Sequence, residues 1–348
     1  LGFKEVINKR YNTMDKKIDR REFIKDASLL GLGLALGPTL INMSANNSTA
    51  EQSISKLVIS NHEDAVKDMK LNSEAVNKIV DKAVTQFAGQ DNVSDAWASV
   101  LNPFSPNDVV AIKVNCINAS LPTHPEVVDA IVAGLILAGV KPNNIIIWDR
   151  KNNELARCRY KINTSKTGVR CFGTDENGWG YDKQVNLAGK DVRLSKILTS
   201  CGHLINVPVL KDHSTAGVTL SMKNHYGSVD NPSSLHGSIL RIMSCDPYIA
   251  ELNNVPDIKD KTRFILVDSL IGTYKGGPNG RPQFVTNSVL VGKDPVAVDH
   301  RGWEMIKSER QQKGIGMSYP AHIKTAAKME LGTNDPANMR IEVVEAKI

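Results

Sequence analysis

HLINVPVLKDHSTAGVTLSMKNHYG, from His203 to Gly227, is the stretch whose reading decides the fold. Leu204 to Leu210 is a short apolar run rich in branched residues, long enough for a buried strand and too short for a typical helix. Pro208 removes a ladder donor inside that run, which predicts a bulge or an edge position. The run stops at Lys211-Asp212-His213, and Ser214, Thr215 and Gly217 then offer helix-starting chemistry. Val218, Met222 and Tyr226 recur at the spacing of a helix face. The stretch therefore reads as strand, polar loop, helix. On a helix, Thr219 and Lys223 would share a face at i, i+4, as would Ser221 and His225. In a doubly wound sheet such a junction lies where ligands bind. A helix N-terminus flanked by Lys211 and Lys223 would hold an anion. The competing reading has solvated lysines and histidines that only cap carbonyls.

Working outward, further short apolar runs fall at residues 57–61, 109–115, 144–149 and 263–268. They alternate largely with helical patterns, among them Ser73–Phe87, expected to start from a Ser cap, and Glu126–Ala138. The expected class is α/β, a mostly parallel sheet with helices on both faces in three layers. Residues 51–348 read as a single α/β domain. Trp97 and the Pro103–Pro106 region read as a connecting loop, and residues 151–190 as a loop-rich insertion, either a lid over the site or, as its composition favours, solvated decoration. Gly272 to Pro282, dense in Gly and Pro, is a candidate lid. The polar strand ends are Asn61-His62, Asn115, Asp149, Lys211-Asp212-His213 and Asp268. Parallel strands would gather these on one sheet edge. Lys113 interrupts an otherwise apolar strand, a break of pattern that belongs either to a functional site or to a structural ion pair. Asp294-Pro295 opens a helix with Asp299 in its early turns.

The pattern INVPVLKDH followed by GVTLSMKNHYG resembles the core signature of the domain-of-unknown-function family numbered 362. DVVAIKVN at Asp108–Asn115, LVD at Leu266–Asp268 and DPVAVD at Asp294–Asp299 match that family in order, so the resemblance runs over about residues 56–348. It implies no general reaction. Some members of the family look like iron–sulfur proteins with ferredoxin-type cysteine runs, and this chain has no such run.

Over 348 residues, a hydrophobic fraction of 41% and a charged fraction of 23% suit a soluble globular protein. The net charge of +6 is mild, and no basic run interleaved with aromatics is present, so nucleic acid is not the expected partner. Aromatics at 5% argue against a stacking platform. Residues 1–50 read as a twin-arginine-type signal and linker. Met14 is a plausible start, Arg20-Arg21-Glu22-Phe23-Ile24 carries the paired arginines, and Ser48-Thr49-Ala50 offers small residues for cleavage. The apolar stretch Ala27 to Ile41 is diluted by glycines and shorter than the roughly 20 residues that a span needs, so no stable membrane span is expected. The expectation is export to a periplasmic or extracellular location through the twin-arginine machinery. The five cysteines contain no C-x-x-C pair, so neither a ribbon-type zinc site nor a ferredoxin-type iron–sulfur cluster is expected. Cys158 and Cys171 are the nearest pair in sequence for a disulfide.

No nucleophile elbow, Walker loop, dinucleotide fingerprint or H-E-x-x-H sequence is present. The favoured function is an exported enzyme acting on a small anionic ligand that bears phosphate or carboxylate. Lys113, Asn115, Lys211, Thr219, Lys223 and Asn224 would hold the ligand, and His213 or His225 would move protons. Asp268 would orient a base, and Asp149 and Asp299 are candidate ligands for a divalent metal. The alternatives are a redox protein with an iron–sulfur or other metal centre, and a non-catalytic solute-binding module.

Overall fold

A computed structural model describes residues 54–237 and 245–347. The chain divides into two units, Leu1–Ser48 and Thr49–Ile348, and the described residues all belong to the second. The expected export signal and cleavage region lie outside them.

The apolar runs form one mixed sheet in the order Met339–Glu345, Ser55–Asn61, Ser288–Gly292, Thr262–Thr273, His203–Asn206, Val110–Lys113, Ile145–Trp148, Arg170–Cys171. Ser288–Gly292 runs against both of its neighbours. The other neighbours along this path pair in parallel. Side chains alternate between two faces. Ala111, Ile146 and Leu204 enter one core, with the helices Tyr248–Asn253, Pro295–Gln312 and Ala321–Lys328. Val110, Ile112, Ile145 and Ile205 enter the other, beneath the helices Ser73–Ala88, Val93–Leu101 and Pro125–Leu137. The fold is thus α/β with both sheet faces covered, which explains strands that are apolar nearly throughout.

Several local expectations are corrected. Trp97 lies inside the helix Val93–Leu101 and not in a loop. Its indole fits against Gly134, where a Cβ would sit 2.0 Å from Nε1, so only glycine admits the neighbouring helix there. The helix at Ser73 is capped by Asn72, whose side chain accepts from Glu74 N and Ala75 N. The insertion at 151–190 contains a helix, Asn152–Arg157, the outermost sheet strand, and the hairpin strand Tyr181–Leu187, which pairs with Lys190–Ser195.

The central stretch departs most. Its strand breaks at Val207-Pro208, as the proline predicts, and resumes as Val209–His213 with a register shift against Thr262–Thr273. The chain then turns back instead of starting a helix. Gly217–Thr219 pairs antiparallel with Val209–His213, placing Thr219 opposite Lys211. His213 Nδ1 accepts from Thr215 N and Ala216 N at 3.1 Å each, which satisfies the turn. Gly217 takes φ +87°, a conformation that suits glycine. The helix begins only at Ser221 and ends at Asn224, so Thr219 and Lys223 do not share a helix face. His225 opens a short 3-10 turn, His225–Ser228.

Candidate functional site

A cavity of about 210 Å³ opens at the carboxyl ends of Val110–Lys113, Ile145–Trp148 and Val209–His213. The chain runs outward from Val110–Lys113 to Arg170–Cys171, then returns to the other side of Val110–Lys113 as His203–Asn206. Such a reversal of strand order is where an open α/β sheet leaves a crevice for a ligand. Lys113, Asn115, Asp149, Arg150, Glu154, His213, Thr219, Lys223, Asn224, Tyr226, Gly227 and His236 contribute to its walls, and Pro278 closes one side.

The wall nearest the sheet is a fully paired polar network. Lys113 is buried, and its Nζ donates to Asp149 Oδ1 at 2.7 Å and to Val114 O at 2.6 Å. Asp149 Oδ2 accepts from Cys116 N at 2.6 Å, and Oδ1 also accepts from Arg150 N. Lys211 lies behind this wall, fully buried, with Nζ donating to Asn115 Oδ1 at 2.8 Å and Leu121 O at 3.2 Å. Asn115 Nδ2 in turn donates to Asn224 Oδ1 at 2.9 Å, and Asn224 Nδ2 to Asn206 Oδ1 at 2.7 Å. Burial pushes the Lys211 ammonium down to about 8, although nearby acidic groups oppose the shift. Gly227 is required by crowding, since a Cβ there would lie 2.7 Å from Asp149 Oδ1 and 2.8 Å from Lys113 Nζ.

The opposite wall is built by Lys223, His236, Tyr226 and His213. Lys223 Nζ lies 3.3 Å from His236 Nε2 and 3.5 Å from the Tyr226 ring centroid. His236 Nδ1 donates to Pro232 O at 2.9 Å, so Nε2 carries the lone pair that faces Lys223. Burial lowers Lys223 to about 8. His213 stacks on His236 with centroids 5.7 Å apart. Its Nδ1 is taken by two backbone N–H groups, so the hydrogen resides on Nε2. Burial, then the charge on Lys223, pushes His213 down to about 3, and the ring is neutral at neutral pH. The hairpin at 181–195 braces this wall: Lys190 Nζ donates to Ser234 O, and Arg193 pairs with Asp230.

The candidate lid is pinned down. Gly277 N donates to Asp212 Oδ1 at 2.8 Å, Ser214 N donates to Gly277 O, and Asn118 Nδ2 donates to Pro278 O and Gly280 O.

Of the expected site residues, Lys113, Asn115, Asp149, His213, Thr219, Lys223 and Asn224 line the cavity together. Lys211 supports it from behind, through Asn115. His225 does not line it. That ring is buried between Asn206 Nδ2 at 3.2 Å and Ser228 Oγ at 3.3 Å, and burial pushes it down to about 3. Asn206 and His225 border a second hollow of about 400 Å³, with Lys56, Lys259, Lys293 and Asp294, at the amino end of Thr262–Thr273. Asp268 is also absent from the cavity lining. It accepts from His124 N at 2.8 Å and meets His124 Nδ1 at 2.7 Å, and its Oδ1 has no hydrogen-bond partner among the described residues. Burial disfavours the charged His124 ring, but the Asp268 carboxylate prevails and raises it.

Asp299 caps the Ser221–Asn224 helix, accepting from Ser221 N at 2.7 Å and Met222 N at 3.1 Å, and burial pushes it up to about 7. It and Asp149 therefore serve separate networks. Among the described residues, no group of three or more His, Cys, Asp or Glu is arranged to hold a metal ion. The five cysteines are buried and free, and Cys158 Sγ lies 3.6 Å from Cys116 O and not against Cys171. No helix among the described residues is long and apolar enough to cross a membrane. The sequence reading missed His236, Tyr226, Gly227 and Glu154 as cavity residues. Only Gly227, three residues after Lys223-Asn224, left a local signal.

A family model described as Domain of unknown function (DUF362) matches residues 110–304, more than half of the chain and less than the expected 56–348. No curated protein matches. Two of the similar solved structures show how distant the likeness is. One is a protein from Thermotoga maritima, at 10% identity and a TM-score of 0.41, covering 72% of this chain and 60% of that one. The other is the lactate racemase apoprotein from Thermoanaerobacterium thermosaccharolyticum, at 11% identity and a TM-score of 0.42, covering 75% of this chain and 59% of that one.

Proposed function

The chain belongs to the DUF362 family, and from that premise we propose that it is an exported enzyme that binds a small anion, bearing carboxylate or phosphate, in the strand-end cavity. One observation carries the reading. Lys223 is buried in the cavity wall, and among the described residues no carboxylate pairs with it, whereas Lys113 is matched by Asp149 and Arg150 by Glu154. A buried ammonium without a counter-charge is costly, and an anionic ligand supplies that charge. Lys211, held by neutral oxygens of Asn115 and Leu121, adds to the positive potential from behind the wall. His213 offers a neutral N–H donor, and Asn115, Asn224 and Thr219 bring amide and hydroxyl groups to the same walls. Export rests on the paired arginines and the diluted apolar stretch of residues 20–41.

The test is thermal unfolding of the full chain with oxalate or orthophosphate. Stabilisation that grows with concentration is expected, and it should be lost in Lys223→Met. No stabilisation of the wild-type protein by either anion would reject the reading. A solute-binding module, the alternative, would return its ligand unchanged after prolonged incubation.

A further inference from the structure

We propose that Lys223 is a nucleophile that captures the carbonyl carbon of a small carboxylate-bearing carbonyl compound, a 2-oxo acid, as an imine. The proposal deepens the reading above, because the carboxylate of such a compound is the anion that the cavity holds. Three lysines among the described residues are buried: Lys113, Lys211 and Lys223. The nitrogens of the first two are committed to oxygens, Lys113 to Asp149 and Val114 O, Lys211 to Asn115 and Leu121 O. Lys223 Nζ has no oxygen partner among the described residues. It meets instead the lone pair of His236 Nε2 and the face of Tyr226. A desolvated lysine beside a base is the arrangement that activates an amine toward carbonyl groups. The lowering of Lys223 to about 8 by burial agrees, since it gives access to the neutral amine near neutral pH. His213, whose Nδ1 is taken by backbone N–H groups, offers its Nε2–H as a donor for the carboxylate. A cavity of about 210 Å³ suits a ligand of few heavy atoms.

In the step, the neutral Nζ adds to the carbonyl carbon, forming the C–N bond while the π pair moves to oxygen. The two amine protons pass to that oxygen by way of His236 Nε2. The oxygen leaves as water when the nitrogen pair closes the C=N bond. The condensation needs no oxidant or reductant.

The experiment treats the full chain with pyruvate and sodium cyanoborohydride near neutral pH, then measures intact mass and maps the modified peptide. A single reduced adduct on Lys223 is expected, suppressed by excess oxalate. In Lys223→Arg the adduct should vanish while stabilisation by oxalate persists, because arginine keeps the charge and lacks the nucleophile. Oxalate stabilisation of the wild-type chain with no adduct on Lys223 would overturn the imine and leave the anion reading intact. An adduct on surface lysines alone, unaffected by oxalate, would overturn it equally. Oxalate suppression in the wild-type chain decides the matter even if the arginine variant fails to fold.

Discussion

Lys113 and Asp149 show how a residue that violates its strand's apolar pattern is accommodated. The pair is buried, and Asp149 spends its remaining capacity on two backbone N–H groups. Removing one partner leaves the other charge uncompensated, so Lys113→Met should cost about 3–5 kcal/mol in chemical denaturation. Gly227→Ala should cost about 1–3 kcal/mol by pushing the pair apart, and should weaken oxalate binding as well. Equal stability of Gly227→Ala and wild type would show that the crowding is relieved elsewhere. Lys223 sets a pH dependence of its own. Its ammonium, at about 8, is the form that attracts an anion, so oxalate affinity should fall as pH rises through that value. Among the described residues, the neighbouring groups His213, His236, His322, Tyr226 and Cys245 are neutral at the start of this window. A calorimetric titration series checks it, and Lys223→Arg should move the loss to higher pH.

At the scale of elements, the segment from Val209 to Asn224 shows where sequence reading succeeds and where it stops. The strand, its break at Pro208 and the polar turn were legible, because a proline and an apolar run act locally. The hairpin Val209–His213/Gly217–Thr219 was not. Val218, Met222 and Tyr226 fit a helix period, and the pairing that overrides it depends on a sheet formed with residues 262–273. Likewise His236 could not be assigned to Lys223, since its loop is held by a hairpin, Tyr181–Leu187 with Lys190–Ser195, that begins in the insertion and was not foreseen. The short helix after the hairpin is started by Asp299, from a distant helix.

Buried groups in this region make stability depend on pH. His213, His225 and His322 are each pushed by burial to about 3, far below the ordinary histidine value. The unfolded chain therefore binds more protons between about 6.5 and 3, and their contribution is lost as pH falls through that window. Asp299, raised to about 7, acts in the opposite sense: its folded form holds a proton that the unfolded form releases, so it favours folding less as pH rises from about 4 to 7. His236 is shifted in the same sense as the three rings and Asp212 in the same sense as Asp299, so with four rings against two carboxyl groups the melting temperature should drop on acidification below about pH 6. A flat profile from pH 7 to 4 would contradict these assignments.

For the whole molecule, parallel strands were foreseen and the opposed strand on the main path of the sheet, Ser288–Gly292, was not, because strand direction is not written in a five-residue apolar run. Whereas Lys223 reaches the cavity through the hairpin and the short helix Ser221–Asn224, the convergence of Lys113, Asn115 and Asp149 there followed from parallel strands alone. That of His225 and Asp268 did not, since each turns to a partner of its own.

The outer edge of the sheet joins the first described strand to the last: Ser55 sits opposite Met339 and Asn61 opposite Glu345. A ribosome must therefore release the chain through residue 345 before this border can be sealed, and the strand Ser55–Asn61 waits with open amides on that side until then. Chains shortened before Met339 should accumulate as insoluble material while full-length ones remain in solution, a difference that a fractionation of expressed protein would reveal.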